Sequence, residues 1–219
     1  MKFFLDTAHA ESIKKWADTK ILDGVTTNPT HLSKESGSPR ELVTSIAQIM
    51  GKKPVSVEVT EKSPDAVFEQ AQKIAALAPN IVVKIPCSLE YVRVIEKLVN
   101  KNIAINITLV FSPLQALMMA KLGVMYVSPF IGRLQDAGGD GLRLISDIRE
   151  IFDTYGCSTE ILAASVRSVW HMEQMALNGA DIATVSISTL EKALYHALTQ
   201  QGIEQFDADW KKLGIRQFP

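Results

Sequence analysis

Short apolar, β-branched runs alternate along the chain with longer stretches whose apolar positions recur at helical spacing. The runs Lys2–Asp6, Leu22–Thr26, Val55–Val59, Ile81–Ile85, Ala104–Thr108, Tyr126–Pro129, Ile161–Ser165 and Ile182–Val185 predict strands. Between them, Pro64–Leu77, Leu89–Lys101, Pro113–Lys121, Leu142–Phe152 and Val169–Leu177 predict amphipathic helices. Strand–helix alternation of this kind calls for parallel βαβ units, arranged as an open doubly wound sheet or a closed barrel.

Side-chain parity separates the two, because successive strand residues point to opposite faces. In the third strand the odd positions are Val55, Val57 and Val59 and the even ones Ser56 and Glu58. The fourth has Val83 and Ile85 odd, Val82 and Lys84 even; the fifth has Ile105 and Ile107 odd, Asn106 and Thr108 even. An open parallel sheet buries both faces in apolar residues, whereas these strands gather polar groups on one face near their C-terminal ends. A barrel interior, with its active-site rim at that end, accommodates such a face. The expected fold is therefore α/β, a (β/α)8 TIM barrel. A further helix is predicted at about 199–213, where Ile203, Phe206, Trp210 and Leu213 share one side and would pack on the barrel or on a neighbouring subunit. No linker, low-complexity tract or repeat interrupts the pattern, so residues 1–219 are expected to form one domain.

Composition narrows the function classes. The 219 residues are 47% hydrophobic and 21% charged with a formal net charge of −1, which favours neither nucleic acid nor an anionic membrane surface as partner. No apolar run approaches the roughly 20 residues that span a bilayer, and Asp6 interrupts the N-terminus before a signal-peptide core can form. Cys87 and Cys157 match no metal or redox spacing, which points to a reducing cytoplasm. The four histidines, His9, His31, His171 and His196, show no metal-ligand spacing, so no metal site is expected.

Lys84, inside Ile-Val-Val-Lys-Ile-Pro, carries the chemistry if its side chain points into the barrel. Burial disfavours an ammonium and so makes an amine nucleophilic near neutral pH. A salt-bridged interior lysine or a strand-end lysine reaching solvent are the structural alternatives. Asp6, Glu58, Asn106 and Thr108 are its polar neighbours, and two carboxylates beside an amine can divide the proton transfers of Schiff-base chemistry. Asp6 equally reads as the cap of a helix entered through Thr7 and Ala8. Gly24-Val25-Thr26-Thr27-Asn28-Pro29 is a turn whose hydroxyls and amide suit a polyhydroxylated ligand. Arg133, after the sixth strand, and Ser165 and Arg167, after the seventh, suit a phosphate. Gly138-Gly139-Asp140-Gly141 reads as a flexible loop.

Five segments together resemble the small bacterial and archaeal transaldolases: Leu5-Asp6-Thr7-Ala8, Gly24–Pro29, Val83-Lys84-Ile85-Pro86, Tyr126–Arg133 and Gly179–Val185. The resemblance runs through the tail Phe206-Asp207-Ala208-Asp209-Trp210. It implies Lys84 as the Schiff-base lysine with Asp6 and Glu58 as acid and base. It also implies Thr26, Asn28, Asn106, Thr108, Ser128 and Phe130 at the sugar, and Arg133, Ser165 and Arg167 at its phosphate. The implied reaction transfers a dihydroxyacetone unit between sugar phosphates in the non-oxidative pentose phosphate route, without a cofactor, in a ring-based homo-oligomer such as a decamer of two pentamers. The related fructose-6-phosphate aldolases, which release free dihydroxyacetone, usually carry Gln and Tyr where this chain has Glu58 and Phe130. A non-catalytic barrel that only binds sugar phosphates is a third reading. The chain departs from the family pattern at Ser168-Val169-Trp170, Ser186 and Ala197.

Overall fold

The computed structural model of the protein describes residues 1–214; residues 215–219, which the one-domain expectation includes, lie outside the described residues. Every predicted strand forms: β1 Lys2–Asp6, β2 Leu22–Thr26, β3 Val55–Glu58, β4 Ile81–Pro86, β5 Ile105–Val110, β6 Tyr126–Pro129, β7 Glu160–Val166 and β8 Ile182–Val185. Each pairs in parallel with the next, and β8 closes on β1, giving a closed barrel in chain order. The helices are α1 Ala10–Ala17, α2 Pro29–Leu32, α3 Pro39–Met50, α4 Pro64–Ala75, α5 Val92–Val99, α6 Pro113–Ala120, α7 Ile131–Asp136, α8 Gly141–Tyr155, α9 Val169–Leu177, α10 Ile187–Ala193 and α11 Ala197–Lys212. This is the expected (β/α)8 barrel with a C-terminal helix.

Local sequence explains the helix starts. Ser38 and Ser112 head reciprocal capping boxes with Glu41 and Gln115, each followed by proline at the first helical position. The glycine-rich segment expected as a flexible loop is instead partly a helix start. Asp140 accepts from Leu142 N–H and Arg143 N–H, both at 3.0 Å, and Gly141 begins α8. Gly141 sits there because a Cβ would lie 2.6 Å from the Ile131 carbonyl oxygen. The Leu89–Lys101 helix resolves into a 3-10 turn, Leu89–Tyr91, followed by α5.

Parity sorts the core as expected. Val55, Val57, Val83, Ile85, Ile105 and Ile107 are buried beneath the helices in the larger apolar cluster. Inside the barrel, toward the N-terminal strand ends, Phe4, Val82, Tyr126, Leu162 and Ile182 form a separate cluster. The Phe4 and Tyr126 rings meet edge to face with centroids 6.1 Å apart. Gly24 makes room for Phe4, whose ring would lie 2.5 Å from any Cβ there.

Two irregularities shape the C-terminal rim. Leu109 and Ser165 both have φ of 59°, in the left-handed region, and the strand registers shift between Ile107 and Val110 and between Ala163 and Val166. β5 and β7 thus bulge where they reach the rim. The β2–β3 ladder is short, with Val25 facing Val55 and Thr26 facing Ser56. Outside it, an apolar groove of about 680 Å³ runs between α3 and α4, lined by Pro39, Val43, Val57, Ile74 and Leu77 among others. Among the described residues α11 has no fully buried residue: Leu198, Ile203 and Phe206 on it are exposed, and Trp210 is half-buried.

Candidate active site

Register brings the chemistry together. Glu58 on β3 faces Lys84 on β4, which faces Asn106 on β5, so three polar side chains share one level of the barrel interior. Lys84 is 5% exposed, and its Nζ lies 2.9 Å from Glu58 Oε2. Of the structural alternatives, the solvent-reaching lysine is therefore not realised, and the lysine is an interior, salt-bridged one. A buried pair of this kind is weak evidence for stability, because desolvation offsets the attraction. Its placement in a cavity is what makes it chemically interesting.

Asp6 closes the site from β1, opposite Thr26 in register. It does not cap a helix: His9 caps α1, accepting from Ser12 N–H at 3.3 Å. Thr26 Oγ1 donates to Asp6 Oδ1 at 2.9 Å and lies 2.6 Å from Thr184 Oγ1. With its proton given to Asp6, Thr26 can only accept from Thr184, so a one-way hydroxyl chain from β8 orients the carboxylate. A second chain crosses the other side of the barrel. Ser128 Oγ donates to Asn106 Oδ1 at 2.7 Å, and Asn106 Nδ2 donates to Ser56 Oγ at 3.1 Å. Thr108 is fully buried, and its hydroxyl has no hydrogen-bond partner among the described residues.

These elements surround a cavity of about 150 Å³, small enough for one sugar fragment. Asp6, Thr26, Asn28, Lys84, Ser128, Phe130, Arg133, Ser165 and Thr184 contribute to its lining. Phe130 stands between two cations, with Lys84 Nζ 5.9 Å and the Arg133 guanidinium carbon 4.9 Å from its ring centroid. It thereby separates a lysine end from an arginine end.

At the arginine end, Gly132 permits close approach of α7 to β7. A Cβ at Gly132 would lie 2.3 Å from the Ser165 carbonyl oxygen and 2.8 Å from Arg167 Nε. Arg167 is half-exposed and forks onto Asp136 through both terminal nitrogens. Hydrogen bonding from Arg167 holds the Asp136 carboxyl below the usual carboxylate range. Arg167 therefore stands at the rim, beside the cavity and outside its lining.

The expected site residues thus fall into three groups. Asp6, Thr26, Asn28, Lys84, Ser128, Phe130, Arg133 and Ser165 line the cavity; Glu58, Asn106 and Thr108 stand behind it in the strand wall; Arg167 is engaged by Asp136. Sequence reasoning missed Thr184 and Ser56, although both have the interior parity that identified their neighbours. It also missed His31, whose Nδ1 is 3.5 Å from Asp6 Oδ1. Cys87 and Cys157 are free, and burial pushes the Cys87 thiol up, away from nucleophilic use. Among the described residues no cluster of three His, Cys, Asp or Glu could hold a metal ion, and no helix is long and apolar enough to cross a membrane.

A family model described as transaldolase/fructose-6-phosphate aldolase matches residues 3–216. The chain is similar to a probable transaldolase of Coprothermobacter proteolyticus, 46% identical over 218 residues and 100% of both chains. A probable transaldolase of Lactiplantibacillus plantarum is 47% identical over 217 residues, covering 99% of this chain and 100% of the relative. One of Thermoplasma volcanium is 47% identical over 216 residues, covering 97% and 96%.

Proposed function

The chain belongs to the transaldolase/fructose-6-phosphate aldolase family of enzymes, and on that premise we propose that Lys84 transfers a dihydroxyacetone unit between sugar phosphates. The observation that carries this is Lys84, buried and paired with Glu58 at 2.9 Å, lining the same cavity as Asp6. A ketose phosphate, fructose 6-phosphate or sedoheptulose 7-phosphate, enters with its ketone at Lys84 and its phosphate toward Arg133, Ser165 and Arg167. Lys84 passes a proton to Glu58 and attacks the carbonyl, and Glu58, through a water, assists loss of hydroxide from the carbinolamine. Asp6 takes the hydroxyl proton as the C–C bond breaks, releasing an aldose phosphate and leaving an enamine on Lys84. The enamine then attacks glyceraldehyde 3-phosphate or erythrose 4-phosphate. Thr26, Asn28 and Ser128, which line the cavity, hold the sugar hydroxyls, with Asn106, bonded to Ser128, and Thr108 in the wall behind them.

Glu58 and Phe130 support transfer over simple release of dihydroxyacetone, since each differs from the residue usual in the aldolases. A carboxylate and a phenyl ring hold water near the Schiff base differently from an amide and a phenol. Borohydride reduction with fructose 6-phosphate is expected to add a three-carbon unit to Lys84, and an active preparation with no adduct there would sink the mechanism. Product formation that needs no aldose acceptor would instead favour the aldolase. Fructose 6-phosphate binding that survives in Lys84→Ala, with no turnover by the parent enzyme, would mean a binding protein. The enzyme works in the cytoplasm as a homo-oligomer; Leu198, Ile203 and Phe206 of α11, exposed among the described residues, support the second part of that reading.

A further inference from the structure

We infer that His31 is the proton partner of Asp6, a positioning residue that acts on the reaction only through that carboxylate. The inference rests on the role proposed above for Asp6. His31 belongs to α2, which follows β2 at the barrel mouth, and its ring is about a quarter exposed, with Nδ1 3.5 Å from Asp6 Oδ1.

A neighbouring amide fixes the hydrogen on the ring. Asn28 caps α2, and its Oδ1 accepts from His31 N–H at 2.9 Å. That leaves the amide nitrogen facing His31 Nδ1 at 3.2 Å. An amide nitrogen can only donate, so in the neutral ring Nδ1 is the bare acceptor and Nε2 carries the hydrogen. The lone pair of Nδ1 takes the Asn28 amide hydrogen, and Asp6 Oδ1 lies 3.5 Å from the same nitrogen with no proton between them. The contact with Asp6 becomes favourable when a proton arrives, either on Asp6 as a donating carboxyl or on Nδ1 as a donating imidazolium, in place of the Asn28 amide hydrogen. Of the carboxylates among the described residues, Asp6 on β1 is the one within 4.0 Å of a ring nitrogen of His31. Lys84 and Glu58 pair with each other, and Lys34 and Glu35, next along the chain, are exposed and half-buried.

The arrangement suits a transferase, which removes a proton in one half-reaction and must restore it in the other. Donor cleavage moves the hydroxyl proton to Asp6 while the C–C bonding electrons pass into the enamine. The proton crosses to His31 Nδ1, leaving a carboxylate and an imidazolium in contact. When the enamine attacks the acceptor aldehyde, the proton returns through Asp6 to the new alkoxide. One proton leaves the donor oxygen and one reaches the acceptor oxygen, with nothing else consumed.

Two measurements test this. In protein labelled with 15N-histidine, the His31 ring, assigned by its loss in His31→Asn, is expected to show the Nε2–H tautomer when neutral. A neutral Nδ1–H ring would overturn the inference. His31→Asn keeps an acceptor for the Asn28 amide but cannot carry the proton. Its kcat is expected to fall about tenfold, with KM within about twofold, and the shape of its pH–rate profile to differ from that of the wild type. A variant with the wild-type pH profile, whatever its absolute rate, would overturn the inference as well. The reduced adduct on Lys84 should form in wild type and variant alike, which shows that the variant is folded. Its absence from wild type would instead count against the Lys84 mechanism, while the tautomer still judges His31.

Discussion

The two ends of the barrel interior are built by one parity rule and have opposite chemistry. The floor is Phe4, Val82, Tyr126, Leu162 and Ile182. One layer higher, the same faces of the same strands carry Asp6, Lys84, Ser128, Ala164 and Thr184. The floor's one phenol, Tyr126, is driven far above its ordinary range by burial and by the Glu160 charge, so the floor stays neutral. Apolar filling at the bottom stabilises by excluding water and voids. The polar layer spends stability on buried donors and acceptors that a closed core would omit. Fold and chemistry are therefore stacked along the barrel axis, and substitutions at the two ends should fail in different ways.

The sharpest break of that division is Lys84→Met. Turnover should fall at least about 1,000-fold, because among the described residues Lys84 is the one amine that lines the cavity. Glu58, left without its cation, should cost about 2–3 kcal/mol in denaturant titration, and adding Glu58→Gln should recover most of that while activity stays lost. The converse variant, Ile182→Ala in the floor, should cost about 2–4 kcal/mol of stability. Its kcat per folded molecule should stay within about threefold of wild type, and a larger loss would mean that the two layers are coupled. Gly132→Ala sharpens the contrast within the polar layer. Its Cβ must displace Ser165 or Arg167, so KM should rise about tenfold for phosphorylated donors and little for dihydroxyacetone, by the worth of one charge-assisted contact. Thr184→Val removes the start of the hydroxyl chain to Asp6 and should slow donor cleavage about three- to tenfold with little change in melting temperature, as the loss of one modest hydrogen bond predicts.

The smallest effect is a pH dependence of stability at the rim. Burial first, then the Arg167 charge, lowers the His171 titration below the ordinary histidine range. The unfolded chain therefore binds this proton at higher pH than the folded one. The contribution of His171 is whole above the ordinary histidine value and is lost as pH falls toward the depressed one. Protonation also removes the acceptor that His171 Nδ1 offers to Arg167 N–H at 3.3 Å. His171→Asn should flatten the fall of melting temperature between about pH 7 and 5, and an unchanged slope would refute the assignment.

The strands and the Glu58–Lys84–Asn106 row were legible because period-2 alternation with a polar exception is a local signal. What escaped depends on distance or on backbone detail. The left-handed turns at Leu109 and Ser165, which extend and bend β5 and β7, leave no mark in residue type; neither position is a glycine. The engagement of Arg167 by Asp136, 31 residues away, is a tertiary contact between two exposed side chains. α7 is six residues long, too short to show a helical period. His31 was visible as a histidine without metal spacing, yet its role follows only from how Asn28 turns its amide.

The short β2–β3 ladder has a consequence for how the molecule fails. Asp6 and Thr26 stand on one side of that seam, and Glu58 and Lys84 on the other. It aligns few residues and is flanked by a groove, so local opening of the closed sheet is expected at this seam. Parting it separates the base from the nucleophile while the floor and the other seams hold. A molecule that opened there would grow idle before it unravelled, so activity should be lost at a lower temperature than the global melting transition.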